Sequence, residues 1–299
     1  MKPTKYTLAA ISAFIVWGFI VFPLKELSQY ASTQILFYRI LLALLCLPVL
    51  MLLFRRKSIL ETFGQLKQDS SKERRLFMVC TLLGTTFLTL NWLSFIYVVN
   101  QINIQTASFA YLLCPIITAL LGYILLREKL QSQQWMAIVI SLGSCCLLGV
   151  ASLYNLLFSL FIAFTYALYL ISQRILKKYD KMVLLTIQVI LSFAIILSLG
   201  KEFRGTAPVD MHFYIVIFIL STVFTILPLF LNLFALKELK SATVGVLMYI
   251  NPLVSFGIAF LYFGEKASLT QLTAYGLILI SIIIYNARIK RVPAPLVTN

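Results

Sequence analysis

The stretch Thr106-Ala-Ser-Phe-Ala-Tyr-Leu-Leu-Cys114-Pro115 runs on through apolar residues to Arg127-Glu128-Lys129. It returns later as Thr243-Val-Gly-Val-Leu-Met-Tyr249-Ile-Asn251-Pro252, ending at Gly264-Glu265-Lys266. A single offset of 137 residues aligns Thr106 with Thr243, Pro115 with Pro252, Glu128 with Glu265, Lys129 with Lys266 and Gln134 with Gln271, without a gap. A weaker echo at an offset of 149 aligns Trp17 with Tyr166, Lys25 with Arg174 and Arg39 with Gln188. The two echoes divide the chain into a first repeat, 1–150, and a second, 151–299. Paired halves with a proline-interrupted apolar segment in corresponding places are a transporter pattern, with the binding site at those segments.

Composition places the chain in a membrane. Of 299 residues, 61% are hydrophobic and 12% charged, and the mean hydropathy is +0.95. A water-soluble domain carries about 25% charged residues. The 25 Lys and Arg against 10 Asp and Glu do not indicate nucleic acid, because they lie between apolar runs as membrane loops require. Cys46, Cys80, Cys114, Cys145 and Cys146 all fall inside apolar runs, and the single His cannot complete a metal site with them. Neither metal nor cofactor is expected. The start, Met1-Lys-Pro-Thr-Lys5, leads into an apolar run with no small-residue cleavage site, so it reads as an uncleaved first span.

A spanning helix needs about 20 mostly apolar residues. Ten such runs are predicted: 6–25, 33–54, 75–98, 105–126, 133–150, 154–174, 182–200, 212–235, 242–263 and 269–287. With the N-terminus inside, the inner segments hold 20 Lys and Arg and the outer loops four, Lys25, Lys201, Arg204 and Lys266. Arg39 alone lies within a span. That bias puts both termini in the cytoplasm. Five spans per half then insert the second half upside down. The expected fold is all-α integral membrane, with ten transmembrane helices as two inverted five-helix repeats.

The residues Trp17-Gly18, Tyr38-Arg39, Asn91-Trp92-Leu-Ser-Phe-Ile-Tyr97, Tyr111 with Pro115, Glu128, Gln134-Trp135, Pro228, and Tyr249-Ile-Asn-Pro252 through Gly264-Glu265-Lys266 resemble the EamA-type branch of the drug/metabolite transporter superfamily. Within that branch the chain resembles the RarD permeases. The resemblance implies a permease of the bacterial inner (plasma) membrane. Its solute would be a small organic metabolite or drug-like molecule, moved by alternating access and without covalent chemistry. Tyr38 stands where the RarD pattern often has His, and Asn251 where it often has Gly. Both changes would alter a cavity wall.

Candidate substrate-binding residues follow from depth and face. Tyr111, Cys114/Pro115 and Thr118 share one face of span four; Met248, Asn251/Pro252 and Ser255 share one face of span nine, with Tyr249 adjacent. Pro115 and Pro252, expected at mid-span, are either gating kinks lining a cavity or simple packing bends. Asn251 is too costly to face lipid; it serves the site or binds a neighbouring helix. Asn91 and Trp92 lie at mid-depth. Trp17 and Trp92 are both far from a span end, unlike Trp135. Trp17, Trp92, Tyr111, Tyr166 and Tyr249 would line a cavity for an aromatic or amphipathic solute, or else pack between helices. Tyr38, Arg39 and its echo Gln188 complete the set. Arg39 either snorkels to the outer surface or faces the cavity and holds an anionic group. No Asp or Glu falls at mid-depth, so a proton relay through carboxylates is not apparent.

Expected partners are a small-molecule solute and the lipid bilayer, with a homodimer left open and nucleic acid excluded. The main rival is a non-transporting membrane receptor or assembly protein. An enzyme would need a nucleophile–base pair or metal cluster that the lone His212 does not supply. The charge bias makes a direct prediction: a reporter fused after Asn299 will be active only as a cytoplasmic marker. A periplasmic signal there would sink both the orientation and the inverted arrangement.

Overall fold

Hydrocarbon provides no partner for a bare backbone N–H or carbonyl, so a long apolar run must close its hydrogen bonds internally as a helix. A computed structural model describes residues 5–235, 239 and 247–286. Among them the regular structure is helical, with no strand. The helices are α1 Lys5–Gly18, α2 Val21–Glu26, α3 Ser32–Phe54, α4 Arg56–Gln68, α5 Ser71–Gln101, α6 Ile104–Leu126, α7 Ser132–Ala151, α8 Leu153–Ile175, α9 Lys181–Ser198 and α10 Lys201–Arg204. There follow α11 Met211–Ser221, a π-helical turn Thr222–Ile226, α12 Leu227–Ala235, α13 Ile250–Leu261 and α14 Leu269–Asn286.

Nine stretches among the described residues are long and apolar enough to cross a membrane. They match the expected spans except the ninth. The start of that span, 242–246, lies outside the described residues, as do Lys2, Lys237, Glu238, Lys240, Arg288, Lys290 and Arg291. Side chains such as Leu52, Leu53, Val139, Leu142 and Ile283 are well exposed, forming apolar surface for lipid rather than water. The protein is a multi-pass membrane protein.

The structure departs from the sequence reading at three places. The stretch 55–74, outside the ten predicted runs, is itself largely helical: it holds α4, and Ser70 starts α5 through a reciprocal capping box with Glu73. Span eight is interrupted by the π-helical turn. Pro228 follows directly; with no N–H and a ring that crowds the preceding carbonyls, it favours a widened turn there. Pro252, expected at mid-span, is the third residue of α13 and sits in its first turn, where a missing N–H costs little. Pro115, by contrast, lies inside α6.

The 137-residue echo has a geometric counterpart. Arg127 and Gly264 both end their helices in the left-handed region, at φ 55° and 62°. Behind them, Glu128 N–H donates to the Gly122 carbonyl at 3.1 Å and Glu265 N–H to Ala259 at 2.9 Å. This is the six-residue closure of a helix C-terminus. Gln134 then accepts from Gln131 N–H, and Gln271 from Ser268 N–H, each at 2.8 Å. Packing partners echo too. Helix α5 packs on α8 as α12 packs on α1; α6 packs on α8 as α13 packs on α1; α3 pairs with α9 and α7 with α14.

The α1–α13 seam depends on Gly18. A Cβ there would lie 2.6 Å from the Val254 Cβ and 3.1 Å from the Asn251 carbonyl. The close approach lets Ser255 Oγ donate to the Gly18 carbonyl at 2.9 Å. Gly18→Ala is therefore predicted to destabilise by about 1–3 kcal/mol through overpacking. Gly276→Ala, where a Cβ meets nothing within 4 Å, serves as the matched control. Thermal unfolding of the purified proteins in detergent compares the two; equal midpoints would contradict the seam.

Candidate functional site

The site is built where α3, α5, α6, α8 and the π-helical turn converge. Arg39, on α3, is 4% exposed. Its Nε–H donates to Thr225 Oγ1 at 3.1 Å. Thr225 Oγ1 in turn donates to the Leu220 carbonyl, five residues back, at 2.9 Å. Ser221 Oγ donates to the Arg39 carbonyl at 3.3 Å. The guanidinium lies over the Trp92 ring, 5.0 Å from its centroid, a favourable cation–π placement. Among the described residues no carboxylate lies within salt-bridge distance of Arg39.

Next to Trp92, Asn91 is fully buried and ties three helices together. Its Nδ2 donates to the Ile162 carbonyl on α8 at 2.9 Å, and its Oδ1 accepts from the Tyr111 hydroxyl on α6 at 3.1 Å. The Tyr111 ring makes edge contacts with Phe95 at 5.3 Å and Tyr166 at 5.5 Å, and Tyr166 lies 5.8 Å from Tyr169. Tyr111 and Tyr166 are only half-buried. The result is a polar, aromatic centre inside an apolar bundle: one cation, one amide and several phenol rings.

Of the residues singled out in the sequence, Arg39, Asn91, Trp92, Tyr111 and Tyr166 thus come together. The others lie elsewhere. Trp17 packs in a separate cluster with Phe14, Leu231 and Met248. Tyr38 points to α11, edge-on to Phe213 at 5.2 Å and Tyr214 at 5.6 Å. Gln188 accepts from Gln173 Nε2 at 3.0 Å and covers Gly84. Tyr249 is buried among Phe109, Cys114 and Tyr275 on the other flank of α6. Asn251 stands on the α1–α13 seam. Pro115 follows the buried Cys114 on α6, and Pro252 is buried at the start of α13.

Thr225, Ser221 and Tyr169 belong to the site but were not singled out from the sequence. The available signal for Thr225 was a hydroxyl three residues before Pro228 in an otherwise apolar run. Among the described residues no cluster of His, Cys, Asp or Glu is arranged to hold a metal ion.

A second polar centre lies at the start of α6. Asn103 Oδ1 accepts from Thr106 N–H at 2.7 Å. The Glu265 carboxylate, from the α13–α14 connection, accepts from Ile104 N–H at 2.7 Å and Gln105 N–H at 3.1 Å. Three of the four N–H groups orphaned at a helix start are thereby satisfied, and the carboxylate complements the helix dipole.

Comparison with known proteins follows the same lines. The profile of the EamA-like transporter family matches residues 4–150 and 153–287. The chain is 27% identical over 287 residues to protein RarD of Escherichia coli K12, covering 93% of this chain and 92% of that one. It is 26% identical over 289 residues to an uncharacterized transporter of Bacillus subtilis 168, covering 92% and 91%. A crystal structure of a protein with 14% sequence identity superposes with a TM-score of 0.62, over 95% of this chain and 96% of the other; at that identity the likeness concerns the fold alone.

The Asn91 bonds give a test of what the amide does. Asn91→Leu keeps the volume but frees the Ile162 carbonyl and the Tyr111 hydroxyl. A stability loss of about 1–2 kcal/mol is predicted, the range for interhelical polar contacts in membranes. An unchanged unfolding midpoint in detergent would show that the three-helix tie is not holding the centre together.

Proposed function

The chain belongs to the EamA-like transporter family, as a RarD-type protein of the drug/metabolite transporter superfamily, and we propose that it is a permease of the bacterial inner membrane. It moves a small organic metabolite or drug-like solute by alternating access. The observation that carries this reading is the buried polar, aromatic centre around Arg39, Trp92 and Tyr111. Such groups are costly at membrane depth and mark solute paths. The echoing helix ends and packing partners support two repeats, 1–150 and 151–299, inserted in opposite senses. Two similar halves that can rock against each other around a fixed centre are the structural requirement for alternating access.

The Lys and Arg bias supports both termini and α4 on the cytoplasmic side. In that orientation Arg39 and Tyr111 lie at matching depth, each in the outer third of its helix, α3 and α6. The relatives are named as transporters or as RarD, and this supports transport rather than catalysis.

Cysteine labelling tests the path. In a Cys114→Ser background, Trp92→Cys and Tyr111→Cys are predicted to react with an impermeant thiol reagent from at least one side of the membrane. Flux of a metabolite extract into proteoliposomes provides the functional readout. Complete protection of both positions together with intact flux would mean that these residues only pack, and absence of protein-dependent flux would remove the transport reading itself.

A further inference from the structure

We propose that the solute is an organic monocarboxylate with an apolar or aromatic body, held end-on by the two amino groups of Arg39; this rests on the transport reading above. The argument begins with charge. A guanidinium stays protonated in a protein, and a buried cation without a partner is heavily penalised. The acidic residues of the chain number ten. Eight have described side chains, and each is engaged away from Arg39. Glu26 meets His212, Glu61 lies near Lys57, Asp69 and Glu73 hold Lys178, Glu128 holds Arg174 and Asp180 holds Arg55. Asp210 caps α11, and Glu265 caps α6. The Glu202 side chain and Glu238 lie outside what is described. Trp92 offsets part of the charge but carries none of its own.

Donor geometry narrows the ligand further. Nε–H is taken by Thr225, whose own proton is committed to the Leu220 carbonyl. The two amino groups make no hydrogen bond among the described residues. Their outward N–H bonds form a planar fork that fits the two oxygens of one carboxylate. A single negative charge neutralises the site, whereas a phosphate dianion would leave an excess charge buried. Phe95, Tyr111, Tyr166 and Tyr169 form the aromatic group beside it, suited to stacking on an apolar body. The Trp92 face lies beside the guanidinium, with the ring centroid 5.0 Å from it.

The experiment compares 3-phenylpropionate, its neutral amide and phenyl phosphate, by equilibrium binding to the purified full-length protein in nanodiscs. Wild type is expected to bind the carboxylate about tenfold or more tightly than the amide, the factor a charged hydrogen bond provides, and more tightly than the phosphate. In Arg39→Gln that preference is expected to vanish. In Arg39→Lys it is expected to fall about fivefold or more, because an ammonium lacks the fork. The wild-type ratio stands without any variant, so misfolding of a mutant does not blunt the test. Equal binding of acid and amide, no saturable binding of the acid, preference for the phosphate, or a wild-type ratio in Arg39→Lys would each overturn the inference. Flux of neutral solutes in proteoliposomes with no carboxylate preference would overturn it too, while leaving the transport reading intact.

Discussion

A hydrogen-bonding group left bare in hydrocarbon costs several kcal/mol, and at three irregular points of this bundle a side chain removes that cost. Asn103 and Glu265 cover the start of α6. Ser255 covers the Gly18 carbonyl at the break between α1 and α2. Thr225 covers Leu220 at the π-helical turn. The last of these matters most, because the hydroxyl that repairs the helix also accepts from Arg39. The widened turn and the buried cation are thus one device. The turn carries the hydroxyl, and the cation uses it as its acceptor.

The echoing helix ends and packing pairs are not matched by equal chemistry. At the echoing positions, Arg39 carries a charge and Gln188 does not. Gln188 accepts from Gln173 through Oε1 and turns its Nε2, which has no partner among the described residues, over Gly84, whereas Arg39 is tied through Nε to Thr225. Similarly, Arg127 occupies a left-handed position that Gly264 fills without strain. The polar centre draws on both stretches but places its charge in one: Arg39, Asn91, Trp92 and Tyr111 lie in the first 150 residues, and Tyr166, Tyr169, Ser221 and Thr225 after them.

Much of the fold was legible because it is written in runs and offsets. Apolar length locates the spans, and the 137-residue echo recurs in helix ends that the sequence marks with Glu128, Gln134, Glu265 and Gln271. The site was legible only in part. Arg39, Asn91, Trp92, Tyr111 and Tyr166 stand out by type and depth, but depth does not say which way a side chain turns. Tyr38 is adjacent to Arg39, and a helix sends neighbours about 100° apart; it joins the aromatic contacts of α11 instead. Trp17 and Tyr249 satisfy the same depth rule yet pack on other flanks. Thr225 was not legible, because its role depends on a local change of helical pitch that one Pro residue signals only indirectly.

The Glu265 cap has a consequence for how the chain is made. The N–H groups of Ile104 and Gln105 are completed by a carboxylate 161 and 160 residues further on. A ribosome delivers α6 long before Glu265 emerges, so during synthesis the fourth span waits with an open end. The N-terminal spans therefore take their final hydrogen bonding only once the connection after α13 has been made. A chain that ends before Glu265 lacks both acceptors, and the N–H groups of Ile104 and Gln105 must then turn to water or to a substitute.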